Sequence, residues 1–247
     1  MSDDKVMLLE DTTAPRMKTV LHVGCGMPNP RKLHSHFRRP GWREIRVDID
    51  PNVEPDVEAD ICDLSAFADG SADAVWSSHN LEHLYDHDVP VALREFRRVL
   101  SPTGFALLTM PDIEAIAQLV VDGKLDAVAY QSPAGPITAL DMMFGHRRSV
   151  AAGNHFMSHK TAFSRDRLGH LLVDAGFPRV VVAHGNSFDL WAIAMQKDAP
   201  SYLDHVFEDP ADKAAAPAAP ASKKAAAATN APAPKATGTK GQKGSLS

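Results

Sequence analysis

Disulfide chemistry is nearly missing from this 247-residue chain. Cys25 and Cys62 are its two cysteines, too few for a disulfide framework and in keeping with a reducing compartment. Long apolar runs are missing as well, since no stretch approaches the ~20 residues that span a bilayer. The opening MSDDKVMLLEDTTAPRM lacks the basic flank and the apolar run of about 7–15 residues that mark a signal peptide. A soluble, cytoplasmic protein is expected. The body of the chain also lacks basic excess. Residues 213–247 carry six lysines and no acid, so the first 212 hold 20 bases against 31 acids, a net of −11. An acidic body grips phosphate backbones poorly, which argues against a globular nucleic-acid reader. Aromatics make up 6% and stop at Phe207. Alanine, proline and lysine dominate beyond it, a composition that cannot bury enough apolar surface to offset its ordering entropy.

What is present suffices for one packed domain, or at most two. Three regions are expected: a disordered N-terminus over 1–17, an ordered body over 18–198, and a disordered Ala/Pro/Lys-rich tail over 199–247. The plain reading of the tail is a flexible, solvated segment; the sharper one is a weak tether to an anionic partner such as nucleic acid. Within the body, β-like and helical runs alternate, the pattern of a parallel sheet covered by helices. Strands are expected at 19–23, 44–47, 56–59, 74–77 and 105–109, with a closing pair at 179–183 and 188–194. One helix follows Asp88, with Val89, Ala92, Leu93, Phe96, Val99 and Leu100 at helical spacing. A second follows Ser164, with Leu168, Leu171, Leu172 and Ala175 on one face and Gly176 as its stop. Ser101-Pro102-Thr103-Gly104 reads as a turn before the fifth strand. The whole is a doubly wound α/β sheet, in which ligands sit beyond the carboxyl ends of the strands.

The chemistry starts where the first strand, TVLHV, runs into Gly24-Cys25-Gly26-Met27-Pro28. Glycines here let the backbone turn tightly and let a ligand approach closely. Asp48 follows the second strand, 22 residues after Gly26, where an acid can accept from ribose hydroxyls. Asp60 follows the third, within reach of an adenine amino group. Strand–GxG, strand–Asp and strand–Asp in this order point to adenosine. A dinucleotide fingerprint would need a third glycine where Asn29 stands, for packing beside a pyrophosphate. Its absence argues against NAD.

On these residues the chain resembles the class I S-adenosylmethionine-dependent methyltransferases, in particular the bacterial type 11 group. The matching stretches are VLHVGCG, VDIDP, EADICDLSAFADGSADAVWSSHNLEHL, LREFRRVLSPTGFALLTMPD and LLVDAGF, which cover most of residues 19–177. The resemblance implies a Rossmann-like seven-stranded methyltransferase sheet, mostly parallel with an antiparallel last strand, and S-adenosyl-L-methionine as cofactor. It implies that Gly24, Cys25 and Gly26 border the methionine part, and that Asp48 with Ile49 holds the ribose. Asp60 with the Ile61 amide would read the adenine, and Ser77 and Ser78 would line the methionine tail. The chain departs from the family's GxGxG, which is GCGMP here, and from its Pro-Gly-Gly turn, which is Pro102-Thr103-Gly104.

His79-Asn80-Leu81-Glu82-His83 also spells HxxEH, an inverted zinc-hydrolase pattern that His87 extends at helical spacing. The motif sits at the exit of a buried strand and no further acidic ligand is evident, so no metal site is expected. The His155/His159 pair reads as pocket lining or surface. Cys25 and Cys62 read as small buried groups, with no base nearby to activate them. His79 or His146 is the candidate general base, and 123–160 the candidate substrate lid, with 135–160 closing over the acceptor. The acceptor is expected to be a small molecule or an envelope intermediate. The competing reading is an S-adenosylmethionine-binding protein without turnover, with zinc hydrolysis through His79, Glu82 and His83, or a tail-mediated scaffold, behind it.

Overall fold

The computed structural model describes residues 16–203. Of the disorder expected over 1–17, residues 1–15 lie outside the described residues, as does the tail from 204 onward. Seven strands form one sheet: β1 Lys18–Val23, β2 Trp42–Asp48, β3 Val57–Glu58, β4 Ala72–Ser78, β5 Leu100–Pro111, β8 Arg179–His184 and β9 Asp189–Met195. They lie in the order β3-β2-β1-β4-β5-β9-β8. Only β9 runs against its neighbours, pairing antiparallel with both β5 and β8. This is the sheet the resemblance implies.

Strict alternation along the strands makes two apolar faces. Leu21, Val23, Val75, Ala106, Leu108 and Ala192 point to one side, where α1 Val89–Val99 and α5 Arg165–Asp174 pack with Phe96, Leu168 and Leu172. Val20, Ala74, Trp76, Phe105, Leu107 and Ile193 point to the other. That side is covered by Leu33, by Phe37 in the single 3-10 turn Ser35–Arg38, and by Trp42 at the start of β2. Ala199 and Leu203 cover it too, 7% and 0% exposed. The expected tail boundary at 199 is therefore corrected, because these two side chains complete the second core.

The α1 stripe is as expected, but Asp88 makes no side-chain cap bond; Pro90 in the first turn removes one of the donors that needs capping. Ser164 does cap α5, accepting from Arg167 N. The expected turn at 101–104 is also corrected. The strand begins at Leu100, and opposite Ala72–Ala74 its register jumps from Leu100 to Phe105, so the extra residues bulge out. Carbonyls of Pro102 and Gly104 are held by Asp198 N and Gln196 N.

After β5 the chain leaves the sheet. It forms α2 Ile113–Val121, a hairpin of β6 Val128–Ser132 and β7 Gly135–Thr138, then α3 Ala139–Phe144 and α4 Arg147–Ala151. Ile116, Ile137, Ala139 and Met142 give this insertion a core of its own. Among the described residues, no helix is long and apolar enough to cross a membrane.

Candidate active site

The glycine loop is built by strand geometry. Gly24 and Gly26 have φ of 62° and 57°, the left-handed region. A Cβ on Gly24 would lie 2.5 Å from Asn80 Cγ, and one on Gly26 would meet Lys32 Nζ. The end of β2 grips this loop: Val47 O accepts from Cys25 N at 3.2 Å, and Arg46 donates to Gly26 O at 2.7 Å. Asp48 closes it, Oδ2 accepting from Gly26 N at 2.7 Å and Oδ1 from Asp50 N at 3.0 Å. A carboxylate has about four acceptor sites, so about half remain. Ile49 beside it is 47% exposed.

The Asp60 turn is tied to the same strand end, because Ala59 N donates to Asp48 O at 3.0 Å. Asp60 is exposed and accepts from Cys62 N, while Ile61 is buried. Ser77 is buried and paired in register with Val23, which sets Ser78 beside Gly24. The glycines, Asp48, the Asp60 turn and the two serines thus gather at the carboxyl ends of β1 to β4. Cys25 is buried and Cys62 half-buried. Burial pushes both thiols up, Cys62 to about 12 with Asp60 and Asp88 adding to the effect. Neither suits a nucleophile.

The second half of the site is a cavity of about 150 Å³ at the ends of β4 and β5. Both candidate bases line it, His79 from the β4 exit and His146 from the insertion. His79 is a non-glycine residue at φ 48°, a strained conformation pinned by its N–H donating to Thr109 O at 2.8 Å. Its Nδ1 lies 3.3 Å from Glu82 Oε1, at ion-pair distance without hydrogen-bond geometry. Desolvation works against a charged His79, yet Glu82, with Asp189 behind it, outweighs this and leaves its pKa above the ordinary imidazole value. Burial likewise would raise Glu82, but His79, His83 and His159 hold it below its usual range. His146 has its Nδ1 within 2.7 Å of Ser149 Oγ.

The HxxEH run is not a helix face. Leu81–His83 is a single 3-10 turn and His79 precedes it in the left-handed region, so the expected helical spacing to His87 does not hold. His87 is exposed and pairs with Asp88 instead. The His155/His159 pair is split too: His155 is exposed, and His159 lines the cavity. Sequence reasoning missed Tyr130, Ile137, Met142 and Phe188, whose side chains form much of the wall. An apolar Val-Ala-Tyr run before Pro133 was the available sign of the hairpin. Asp141 was missed as well. Burial alone would raise its carboxyl, but Arg147 and Thr138 hold it well below the usual carboxylate range and so fix the start of α3.

A family model described as "Methyltransferase domain" matches residues 21–108, from β1 into β5. No curated protein matches the sequence. Solved structures are similar at low identity. An S-adenosylmethionine-dependent methyltransferase from Archaeoglobus fulgidus is 15% identical, covering 74% of this chain and 87% of its own, at a TM-score of 0.49. One from Methanosarcina mazei is 18% identical over 73% and 93%, at 0.48. The strand order is that of a Rossmann-like α/β sheet, and the match runs over its first strands, from β1 into β5. Over residues 21–108 the chain carries this methyltransferase domain, which indicates S-adenosylmethionine as the cofactor. The residues present fit that cofactor. The loop leaves no room for a Cβ at Gly24, and Asn80 Nδ2 beside it is a buried donor without a partner.

Proposed function

We propose that this methyltransferase acts on a hydroxyl of a small molecule, or of an envelope intermediate, whose reacting end is about one ring in size. The observation that carries this reading is the cavity at the ends of β4 and β5, with His79 on its wall. A cavity of about 150 Å³ has room for roughly one benzene-sized group. Free thiols at Cys25 and Cys62 are compatible with a cytoplasmic setting.

Bound S-adenosylmethionine supplies a methyl on a sulfonium whose C–S electron pair leaves with sulfur, so no residue has to protonate the leaving group. Gly24, Gly26 and Asp48 hold the cofactor, with the Asp60–Ile61 turn on the adenine and Ser77 and Ser78 on the methionine end. The insertion over 123–160 supplies the acceptor wall with Tyr130, Met142 and His146. Alignment of this kind can contribute ~7–11 kcal/mol to lowering the barrier. As the acceptor oxygen forms its bond to the methyl carbon, His79 takes the hydroxyl proton and Glu82 steadies the imidazolium.

The test is a panel of phenols, catechols and hydroxy acids, read by release of S-adenosylhomocysteine. His79→Ala should lower turnover about 10²–10⁴-fold, the range for a positioned base, with S-adenosylhomocysteine affinity within about threefold. Unchanged turnover, or a product methylated on nitrogen or sulfur, would refute this reading.

A further inference from the structure

Glu82 is a buried carboxylate, 1% exposed, that accepts no hydrogen bond. Isolated buried charges are costly, so such groups pair with other charges or coordinate metals. One oxygen faces His79, which leaves the other available.

Two imidazoles stand ready beside it. A ligand atom from each of Glu82, His83 and His159 lies within 4.8 Å of the other two. The His83 and His159 rings are 4.9 Å apart at 66°. Both have their Nδ1 against a backbone carbonyl, His83 at 3.1 Å from Ser158 O and His159 at 2.9 Å from Met142 O. A carbonyl only accepts, so Nδ1 carries the proton in each neutral ring and Nε2 keeps its lone pair. Metal-binding histidines are typically fixed in this way through the second nitrogen. The chain also pins the two segments together. Glu82 O accepts from Lys160 N at 2.8 Å, and His159 N donates to Phe144 O at 3.2 Å.

We propose that Glu82, His83 and His159 bind one divalent transition-metal ion, of the zinc or ferrous type, in the wall of the acceptor cavity. Two imidazole nitrogens and one carboxylate favour such an ion over magnesium or calcium, which prefer oxygen ligands. Three protein ligands leave a coordination position open. All three residues line the cavity, so that position can take the acceptor's hydroxyl oxygen, and the ion then eases loss of its proton to His79. This use of the ion rests on the methyl-transfer reading; the binding site does not.

The test uses the full-length, tag-free protein, stripped with chelator and titrated with Co²⁺ alone, then with Zn²⁺ by calorimetry, without cofactor or acceptor. One equivalent per chain with a saturable visible band is expected. His159→Ala should abolish the band and weaken binding on the order of a hundredfold, as even outer-shell losses cost 10–100-fold. His155→Ala, at an exposed position, should change nothing. S-adenosylhomocysteine binding within about threefold of wild type shows that a variant is folded, and Glu82→Gln serves where His159→Ala is not. Absence of a saturable band, or equal metal affinity in a folded His159→Ala or Glu82→Gln protein, overturns the site. Metal binding without any methyl transfer would leave the site standing and remove its catalytic use.

Discussion

Asp48 offers the sharpest test of the cofactor half of the site. Its two oxygens accept from Gly26 N and Asp50 N at 2.7 and 3.0 Å, so the carboxylate shapes the glycine loop before any ligand arrives. The remaining acceptor sites are those proposed for the ribose diol. Hydrogen bonds to a charged group contribute about 1.5–3 kcal/mol each. Losing two ribose bonds in Asp48→Ala should therefore cost about 3–6 kcal/mol, and water entering the gap brings this toward the lower end, roughly a hundredfold in Kd. Asp48→Asn keeps one acceptor but turns an NH₂ toward a backbone N–H, so it should bind little better. Calorimetric titration with S-adenosylhomocysteine measures the loss, and a thermal melt of each variant separates it from unfolding. If Asp48→Ala binds within about threefold of wild type and melts at the same temperature, the carboxylate does not hold the ribose and the assignment fails.

Two further outcomes follow from the local geometry. Gly24→Ala places a Cβ in the left-handed region and against Asn80; at about 2 kcal/mol the Tm should fall by roughly 4–8 °C, with S-adenosylhomocysteine binding lost. A melt unchanged within error would show that the loop relaxes freely. Asp141→Asn removes the charge and leaves one acceptor oxygen where the carboxylate serves Thr138 N, the Thr138 hydroxyl and Arg147 with two. Because the folded pKa is depressed, this stabilisation is complete above the unfolded value of ~3.9 and fades as pH falls toward the folded one. At pH 7 the variant should lose about 1–2 kcal/mol of local stability, seen as faster hydrogen exchange over 135–151, with wild type and variant converging in acid. Equal exchange at pH 7 would refute the role.

The sheet was legible because its signals are local. β1 announces itself by an apolar run that stops at Gly24, and α1 by a stripe from Val89 to Val99. Each needs only its own neighbours in sequence to be recognised. The bulge at 101–104 was not legible, because Pro102 and Gly104 form a turn in isolation and are drawn into the strand by Gln196 and Asp198, which lie far along the chain. The tail boundary failed for the same reason: Leu203 looks like the edge of a polar, alanine-rich segment until the open face of β4 and β5 is there to receive it.

The acceptor half shows the limit more clearly. HNLEH taken alone suggests a helix bearing histidines four residues apart, and on that geometry a missing acidic ligand counted against a metal. In the fold His79 turns away from that spacing at φ 48°, and Glu82 becomes the buried acid. The third partner is His159, which stands in sequence among exposed loop residues and reaches Glu82 only because Lys160 N and Phe144 O tie its segment down. No spacing rule links residues 82 and 159. What links them is the return of the insertion across the carboxyl ends of β4 and β5, the end of the sheet where this fold keeps its ligands. The proposed chemistry therefore lies where local pattern stops being informative, and the buried carboxylate of Glu82, whose oxygens accept no hydrogen bond, is the observation that leads to it.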